Sequence, residues 1–420
     1  MKHTLHKIGV YAVTFAFWLA AALLVGAVCG VLGGLFAMAV EWATHARGEH
    51  AFLPWLMPVA GLVIAGLYRL LKLPLSIGTD EIITTVRTQE RVPLAMAPAI
   101  FISTVLTHLT GGSAGREGAA LQLGGSIGAG IGYALPLEKA DRAAEDDAIR
   151  IFQLCGMAAL FSALFGTPLA ATIFVVEIVD VGRINGRALL PCLISAVVAK
   201  LVAVATGAPM EDFALLTSGL LSAAQALPLL QTALLGVACA MVAILFCHVM
   251  HSASKHFRQL IPNDFLRVLT GAAAVIGLSL IIGTQDYRGG GMHVIHAALL
   301  GESVHPAAFL LKIAFTALSL GMGYKGGEIV PSFFIGACLG STLAGLIGFP
   351  PALGAAVGII GLFCGVTNAP LASMVLAVEL FGAEYALFFG VAAVVSYALS
   401  GHISLYHAQV LLEPKLGHKD

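Results

Sequence analysis

Charge is what this chain has least of. Only 11% of its 420 residues are charged, and 22 Lys and Arg stand against 23 Asp and Glu, a net charge of -1, where an ordinary soluble domain carries about 25% charged residues. So small and balanced a charge excludes the basic footprint of a nucleic-acid-binding protein, and no long run of one sign supplies one locally, so no nucleic-acid partner is expected. Metal-ligand spacing is absent too. The seven cysteines, Cys29, Cys155, Cys192, Cys239, Cys247, Cys338 and Cys364, are scattered through apolar segments without a CxxC; they read as small core residues, and neither a metal nor a cofactor is expected. There is no Ser-His or Cys-His motif, no HExxH and no Walker lysine, and GSAGREG lacks the GK[ST] of a phosphate loop. A membrane-embedded enzyme with Glu117 or Glu328 as general base is therefore a distant alternative. The ten-residue alternation of a membrane barrel is missing as well.

What fills the chain instead is apolar: 59% of residues are hydrophobic and the mean hydropathy is +0.94. Runs long enough for a helix to cross a bilayer, about 20 residues each, recur from residue 10 to the end, broken repeatedly by Gly and Pro. The expected fold class is an all-α polytopic membrane protein. Lys2 and Lys7 precede a first apolar run, 10–28, that is long, broken by glycine and closely followed by another; it is expected to be a retained helix with a cytoplasmic N-terminus rather than a signal peptide.

Residues 12–40 can hold one long helix or a tight pair, and 52–71 another, ended by Pro74. Residues 75–81 (LSIGTDE) are too polar to span and lead into the amphipathic stretch 82–91, a pattern expected of a re-entrant loop and half-helix covered by protein or water. Apolar 93–109 then meets the most unusual stretch of the chain, GGSAGREGAALQLGGSIG at 111–128. There Arg116 and Glu117 sit between glycines. An ionisable side chain inside a membrane segment is costly and marks a cavity, a partner or a substrate path. The stretch is expected to be a loop opening into a short helix near Glu117, whose free backbone N–H groups attract an anion.

The charged segment 138–150 is expected in water. The chain re-enters at Ile151, breaks at Gly166-Thr167-Pro168, and spans again over 188–204. A polar interval, 206–217, separates this half from a second, with apolar 227–250, exposed 251–264, apolar 265–282, a loop at 285–291, and apolar 306–322. That last run ends in YKGGEIVP at 324–331, a second glycine loop with Glu328 at the start of a second half-helix.

The two halves, 1–205 and 226–412, repeat each other. FGTPLAATIFVVEI at 165–178 matches TNAPLASMVLAVEL at 367–380, Pro168 against Pro370 and Glu177 against Glu379 at a common offset of 202. Gly124 and Gly128 stand against Gly336 and Gly340 at an offset of 212, a difference that the charged insertion accounts for. Two related halves with broken helices at matching positions mark a transporter whose site lies at the repeat interface, and converging positive helix ends predict an anion as substrate.

These residues resemble the CLC family of chloride channels and anion/proton antiporters over nearly the whole chain. The family's GREGP loop appears as GREGA, its GxFxP loop as GEIVP, and its late tyrosine as Tyr406 in SGHISLY. Chloride-type members carry GSGIP where this chain has SIGTD, with Ile77 in place of the central serine. The inner glutamate of many exchangers would follow Glu177, where Ile178 stands. An extra acid, Glu328, appears at the second loop. That pattern is similar to the fluoride-exporting branch of the family, although Ala119 and Val330 stand where that branch usually has threonine.

The resemblance implies the CLC fold, with two inverted-topology repeats and broken, re-entrant helices, in a homodimer with one pore per subunit in the lipid of the bacterial inner membrane. The chain is expected to be a single transport domain without a cytoplasmic regulatory domain. It implies fluoride export in exchange for protons, with a chloride or nitrate exchanger or a passive anion channel as the alternative. Glu117 would gate and carry the proton, occupying the anion's place when ionised and swinging aside when protonated. Glu328 would be a second proton or anion site. Ile77, Arg116, Gly118, Ile329, Val330 and Tyr406 would form the anion site, Arg116 mainly by holding its loop. The plainer readings are that both glutamates cap their half-helices, that Tyr406 is an interfacial anchor, and that Lys325 is a surface charge. His108 and His402 read as structural rather than as relays, and Glu177 and Glu379 as structural acids near helix ends.

Overall fold

A computed structural model describes residues 2–88, 90–135, 142–210, 213, 226–412 and 415. The described residues contain sixteen α-helices. The first, α1 (Lys2–Glu49), is one unbroken helix, which decides between the single rod and the tight pair. A turn of 3-10 helix at Leu53–Leu56 leads into α2 (Met57–Leu70), which ends before Pro74. Then come α3 (Thr79–Thr88), α4 (Met96–Thr110), α5 (Glu117–Ala134) and α6 (Arg142–Phe165). The ten-residue α3 is the short helix expected after the polar 75–81 segment, and α5 starts at Glu117 itself. The charged residues 142–150 are the first turns of α6; residues 138–141 of that expected aqueous segment lie outside the described residues.

Gly166 (φ 72°) and Pro168 part α6 from α7 (Pro168–Glu177), because the glycine's left-handed backbone ends one helix and the proline lacks the N–H that would continue it. Next are α8 (Gly186–Ala205) and α9 (Ala226–Leu260). Most of the expected polar interval between them lies outside the described residues. Helix α9 carries on through 251–260, where most residues are exposed, as expected. Polar side chains there do not break a helix, and the first breaker is Pro262. The rest are α10 (Asp264–Ile282), α11 (Met292–Leu299), α12 (Ala308–Gly321), α13 (Ile329–Leu346), α14 (Pro351–Thr367), α15 (Pro370–Phe381) and α16 (Ala386–Leu399). Among the described residues, seven helices are long and apolar enough to cross a membrane. A two-residue parallel pairing, Asp180–Val181 (β1) with Val410–Leu411 (β2), ties the end of the chain to the segment after α7.

Two helix pairs form the centre. Helix α5 lies against α6 so closely that a Cβ on Gly128 would stand 2.1 Å from the carbonyl oxygen of Phe152, and one on Gly156 2.0 Å from that of Gly124. Helix α13 lies against α14 in the same way: a Cβ on Gly340 would stand 2.0 Å from the carbonyl oxygen of Gly354, and one on Gly358 2.1 Å from that of Gly336. Small residues let membrane helices approach to backbone contact, and here only glycine fits. Around this centre, α1, α8, α9 and α10 turn apolar side chains outward, among them Leu201, Met241 and Ile281.

Candidate functional site

The loops that open α5 and α13 meet through their backbones. Gly115 N–H donates to Gly327 O at 2.8 Å, and Gly327 N–H donates back to Gly115 O at 2.8 Å. Only glycines allow this approach, since a Cβ on Gly327 would lie 2.3 Å from the nitrogen of Gly118, and one on Gly118 would lie 2.8 Å from Gly327 Cα. Two helix N-termini, each with first-turn N–H groups that no carbonyl of its own helix accepts, are thereby brought together. Their positive ends add, which makes the point between them favourable to negative charge.

A carboxylate stands at each end. Glu117 is fully buried; its Oε2 accepts the Arg116 N–H at 2.9 Å, and its Oε1 is 3.6 Å from Arg116 Nε. The arginine, itself 6% exposed, braces the loop beside the acid. Glu328 occupies the N-cap position of α13 without a side-chain capping bond. Its Oε2 has no hydrogen-bond partner and would be 3.2 Å from a Cβ on Gly118, so it leans across onto the first loop. Glu328 therefore makes no capping hydrogen bond to the first turn of α13, and its free Oε2 lies where the two loops meet.

A cavity of about 560 Å³ opens onto this point, its wall including Ile77, Asp80, Gln122, Lys325, Glu328 and Tyr406. Tyr406 is 3% exposed, and its hydroxyl has no partner. That burial is at odds with an interfacial anchor. Arg116, Glu117, Gly118, Ile329 and Val330 lie behind the closed end at the two helix starts, all buried. Val330 turns its side chain toward Gly115, whose Cβ would be 2.9 Å from Val330 Cβ. Ile77, Glu328 and Tyr406 thus share the cavity wall, and the other residues expected at the anion site lie at the two helix starts.

Three further residues join this site. Thr79 donates its hydroxyl to Gly118 O at 3.3 Å and accepts from Gln122 Nε2 at 3.1 Å. Asp80 Oδ1 accepts the Ala408 N–H at 3.0 Å, which fastens α3 to the segment carrying Tyr406. Lys325 is 8% exposed, not the surface charge that its sequence context suggests, and reaches from the second loop to carbonyls of residues 75 and 77. The polar interval 75–81 was the available signal for Thr79 and Asp80; nothing local pointed to Lys325. His108 lies away from the cavity, its Nδ1 sharing a hydrogen bond with Thr104 O at 2.9 Å, in keeping with a structural histidine. His402 is exposed and off the cavity wall. Among the described residues no group of three or more His, Cys, Asp or Glu could hold a metal ion.

Comparison with known proteins gives consistent matches. The family described as Voltage gated chloride channel matches residues 61–401. A chloride/fluoride channel protein of Pseudomonas syringae pv. tomato is 35% identical over 410 residues, covering 96% of this chain and 87% of the relative. An H(+)/Cl(-) exchange transporter of Vibrio vulnificus is 25% identical over 397 residues, covering 87% and 82%. Among solved structures, a CLC-type fluoride/proton antiporter superposes with a TM-score of 0.88 at 29% identity, over 94% of this chain and 98% of that one. A slow cyanobacterial Cl-/H+ antiporter shares the fold, with a TM-score of 0.72 at 22% identity over 91% and 94%.

Proposed function

Because the chain belongs to the voltage-gated chloride channel family, we propose that it is a secondary transporter of the bacterial inner membrane that expels fluoride in exchange for protons. The observation that carries this reading is the head-to-head meeting of two helix N-termini at Gly115 and Gly327 with a carboxylate on each, Glu117 and Glu328. The chloride/fluoride relative and the fluoride/proton antiporter structure support the choice of ion.

Fluoride is small and strongly hydrated, so a site must replace its water with several close donors. The backbone N–H groups of Gly118, Ile329 and Val330 and the free hydroxyl of Tyr406 supply them. Ile77 presents an apolar wall where chloride-type members of the family carry a serine. Ionised Glu117 competes with the anion for the helix ends; protonated, it withdraws and lets the anion in, so each anion that passes is tied to a proton. Glu328 holds the second protonatable position on the cavity side, and Arg116 fixes the Glu117 loop.

The two halves, 1–205 and 226–412, form one transport domain, and the protein works as a homodimer embedded in lipid through its apolar outer helices. No catalytic step is assigned to any residue. A chloride or nitrate exchanger or an uncoupled channel is the second reading, favoured by Ala119 and Val330, which carry no hydroxyl.

The test is efflux from proteoliposomes loaded with fluoride or with chloride while internal pH is followed. Fluoride-selective efflux with proton uptake supports the exporter. Chloride flux equal to or above fluoride flux refutes the ion assignment, and efflux without proton movement makes the protein a channel.

A further inference from the structure

We infer that Lys325 is the fixed counter-charge for an anion held in the cavity beside Glu328. It is a positioning residue that turns the carbonyls of loop 75–77 away from the ion and so sets how tightly the anion binds in the cavity beside Glu328.

Lys325 lies three residues before Glu328 on the same loop and on the same cavity wall. Its backbone N–H donates to Thr107 Oγ1 at 3.2 Å, which fixes the base of the side chain. The ammonium donates to Leu75 O at 2.7 Å and to Ile77 O at 2.9 Å, and stands 4.6 Å from the centre of the Tyr68 ring. It forms no ion pair with any described residue. A buried ammonium without a carboxylate is costly to keep, and two carbonyls and a ring face lower that cost without cancelling the charge. The ammonium stands at the wall of a cavity whose lining also carries the unpartnered Glu328 Oε2, Gln122 Oε1 and Tyr406 hydroxyl, with the Glu328 carboxylate the acidic charge that acts on it most.

The loop that Lys325 grips has special need of it. Residues 75–78 line the cavity, among them Ile77, whose side chain offers an anion no donor, and the backbone carbonyls of this loop present negative ends that repel one. Lys325 draws the lone pairs of two of those carbonyls toward itself. Without it, the same wall would present bare carbonyl oxygens to the ion, and the helix-end N–H groups would work against them. The lysine therefore acts twice: its charge attracts the anion, and its hydrogen bonds remove two opposing dipoles.

This inference rests on the transport reading above, and the experiment separates the two. Wild type, Lys325→Arg, Lys325→Gln and Lys325→Met are reconstituted, and initial flux is measured against fluoride and against chloride concentration, with thermal stability and size-exclusion profile as folding controls. Lys325→Gln keeps a donor for the carbonyls and loses the charge, so it tests the charge even if Lys325→Met fails to fold. Loss of a charged hydrogen-bonding group predicts that Lys325→Gln raises KM for the carried anion by about tenfold or more, whereas Lys325→Arg stays within about threefold of wild type. The maximal rate is expected to fall less than the affinity. Wild-type KM in Lys325→Gln would overturn the counter-charge, and equal impairment of Arg and Gln would reduce Lys325 to a loop brace. If the wild type carries chloride rather than fluoride, the ion assignment fails, while the KM series still decides the lysine on chloride. A wild type that carries neither ion overturns both.

Discussion

Glu177 and Glu379 cap each other's helices. Glu177, the last residue of α7, accepts the N–H groups of Leu371 at 3.1 Å and Ala372 at 2.8 Å, in the first turn of α15. Glu379, in the last turn of α15, accepts those of Leu169 at 3.1 Å and Ala170 at 2.7 Å, in the first turn of α7. The two helices therefore run antiparallel, and each end that lacks internal acceptors takes its carboxylate from the other. Each helix starts at a proline, Pro168 and Pro370, whose missing N–H costs nothing at that position.

Removing one side of this exchange strands two donors, a part-buried one at Leu371 and a buried one at Ala372. Glu177→Ala is expected to destabilise the folded protein by about 1–3 kcal/mol, and Glu177→Gln by less, since the amide still accepts one bond. Thermal unfolding in detergent checks the order. Surviving Glu177→Gln protein is expected to keep its proton-to-anion ratio, because Glu177 does not line the cavity; a changed ratio would move Glu177 into the proton path.

Glu117→Gln replaces the buried carboxylate at the head of α5 by a group that stays neutral. Anion flux that no longer responds to a pH gradient is the expected result, with coupled proton movement reduced at least about tenfold. Simultaneous recording of an anion electrode and an internal pH dye measures both. Full retained coupling would remove Glu117 from the gate.

The contact between the two loops predicts a sharp contrast among glycines of one region. Gly327→Ala sets a methyl 2.3 Å from the backbone nitrogen of Gly118, whereas a methyl on Gly345, at the exposed end of α13, meets nothing within 4 Å. The first is expected to cost about 1–3 kcal/mol or more and to abolish flux. The second is expected to be neutral or to stabilise by up to about 1 kcal/mol, as alanine does in a helix. A parallel series of melting temperatures and fluxes tests the pair.

Val330→Thr puts a hydroxyl into the second helix start at nearly constant volume. Val330 is 2% exposed, so an unpaired hydroxyl there costs about 1–3 kcal/mol when no anion is present. The variant is therefore expected to melt below wild type in anion-free buffer, to gain more stability from added fluoride, and to show a lower KM for fluoride. Thermal shift with and without sodium fluoride reads the first two, and flux the third.

How much of this was legible in the chain depended on whether a residue's partner is local. Glu117 and Glu328 stood out because glycine and charge are rare neighbours in an apolar run, and α5 and α13 begin where they suggested. The offsets that paired Gly124 with Gly336 and Gly128 with Gly340 found the residues that pack α5 on α6 and α13 on α14. Lys325 was not legible, because the carbonyls it grips lie 250 and 248 residues upstream and a carbonyl carries no side-chain signature. The partner of Asp80, Ala408, is likewise hidden 328 residues on, and the pairing of Asp180 with Val410 is too short to leave an alternating pattern. Helix α9 runs on through its exposed, polar end, because polarity marks where a helix leaves the membrane, not where it stops.

The glycine seams between α5 and α6 and between α13 and α14 limit how this machine can move. Where backbone rests on backbone there is no layer of side chains to slide or repack, and such contacts tend to hold or break rather than flex. Each pair is a rigid block, and the two blocks are pinned to each other at Gly115 and Gly327. Motion is left to the side chains around the pin: the two carboxylates and the tyrosine hydroxyl. The work of a transport cycle then falls on side-chain rotations of a few ångströms rather than on the rocking of domains, and spectroscopic probes attached to the outer helices should register almost nothing while ions pass.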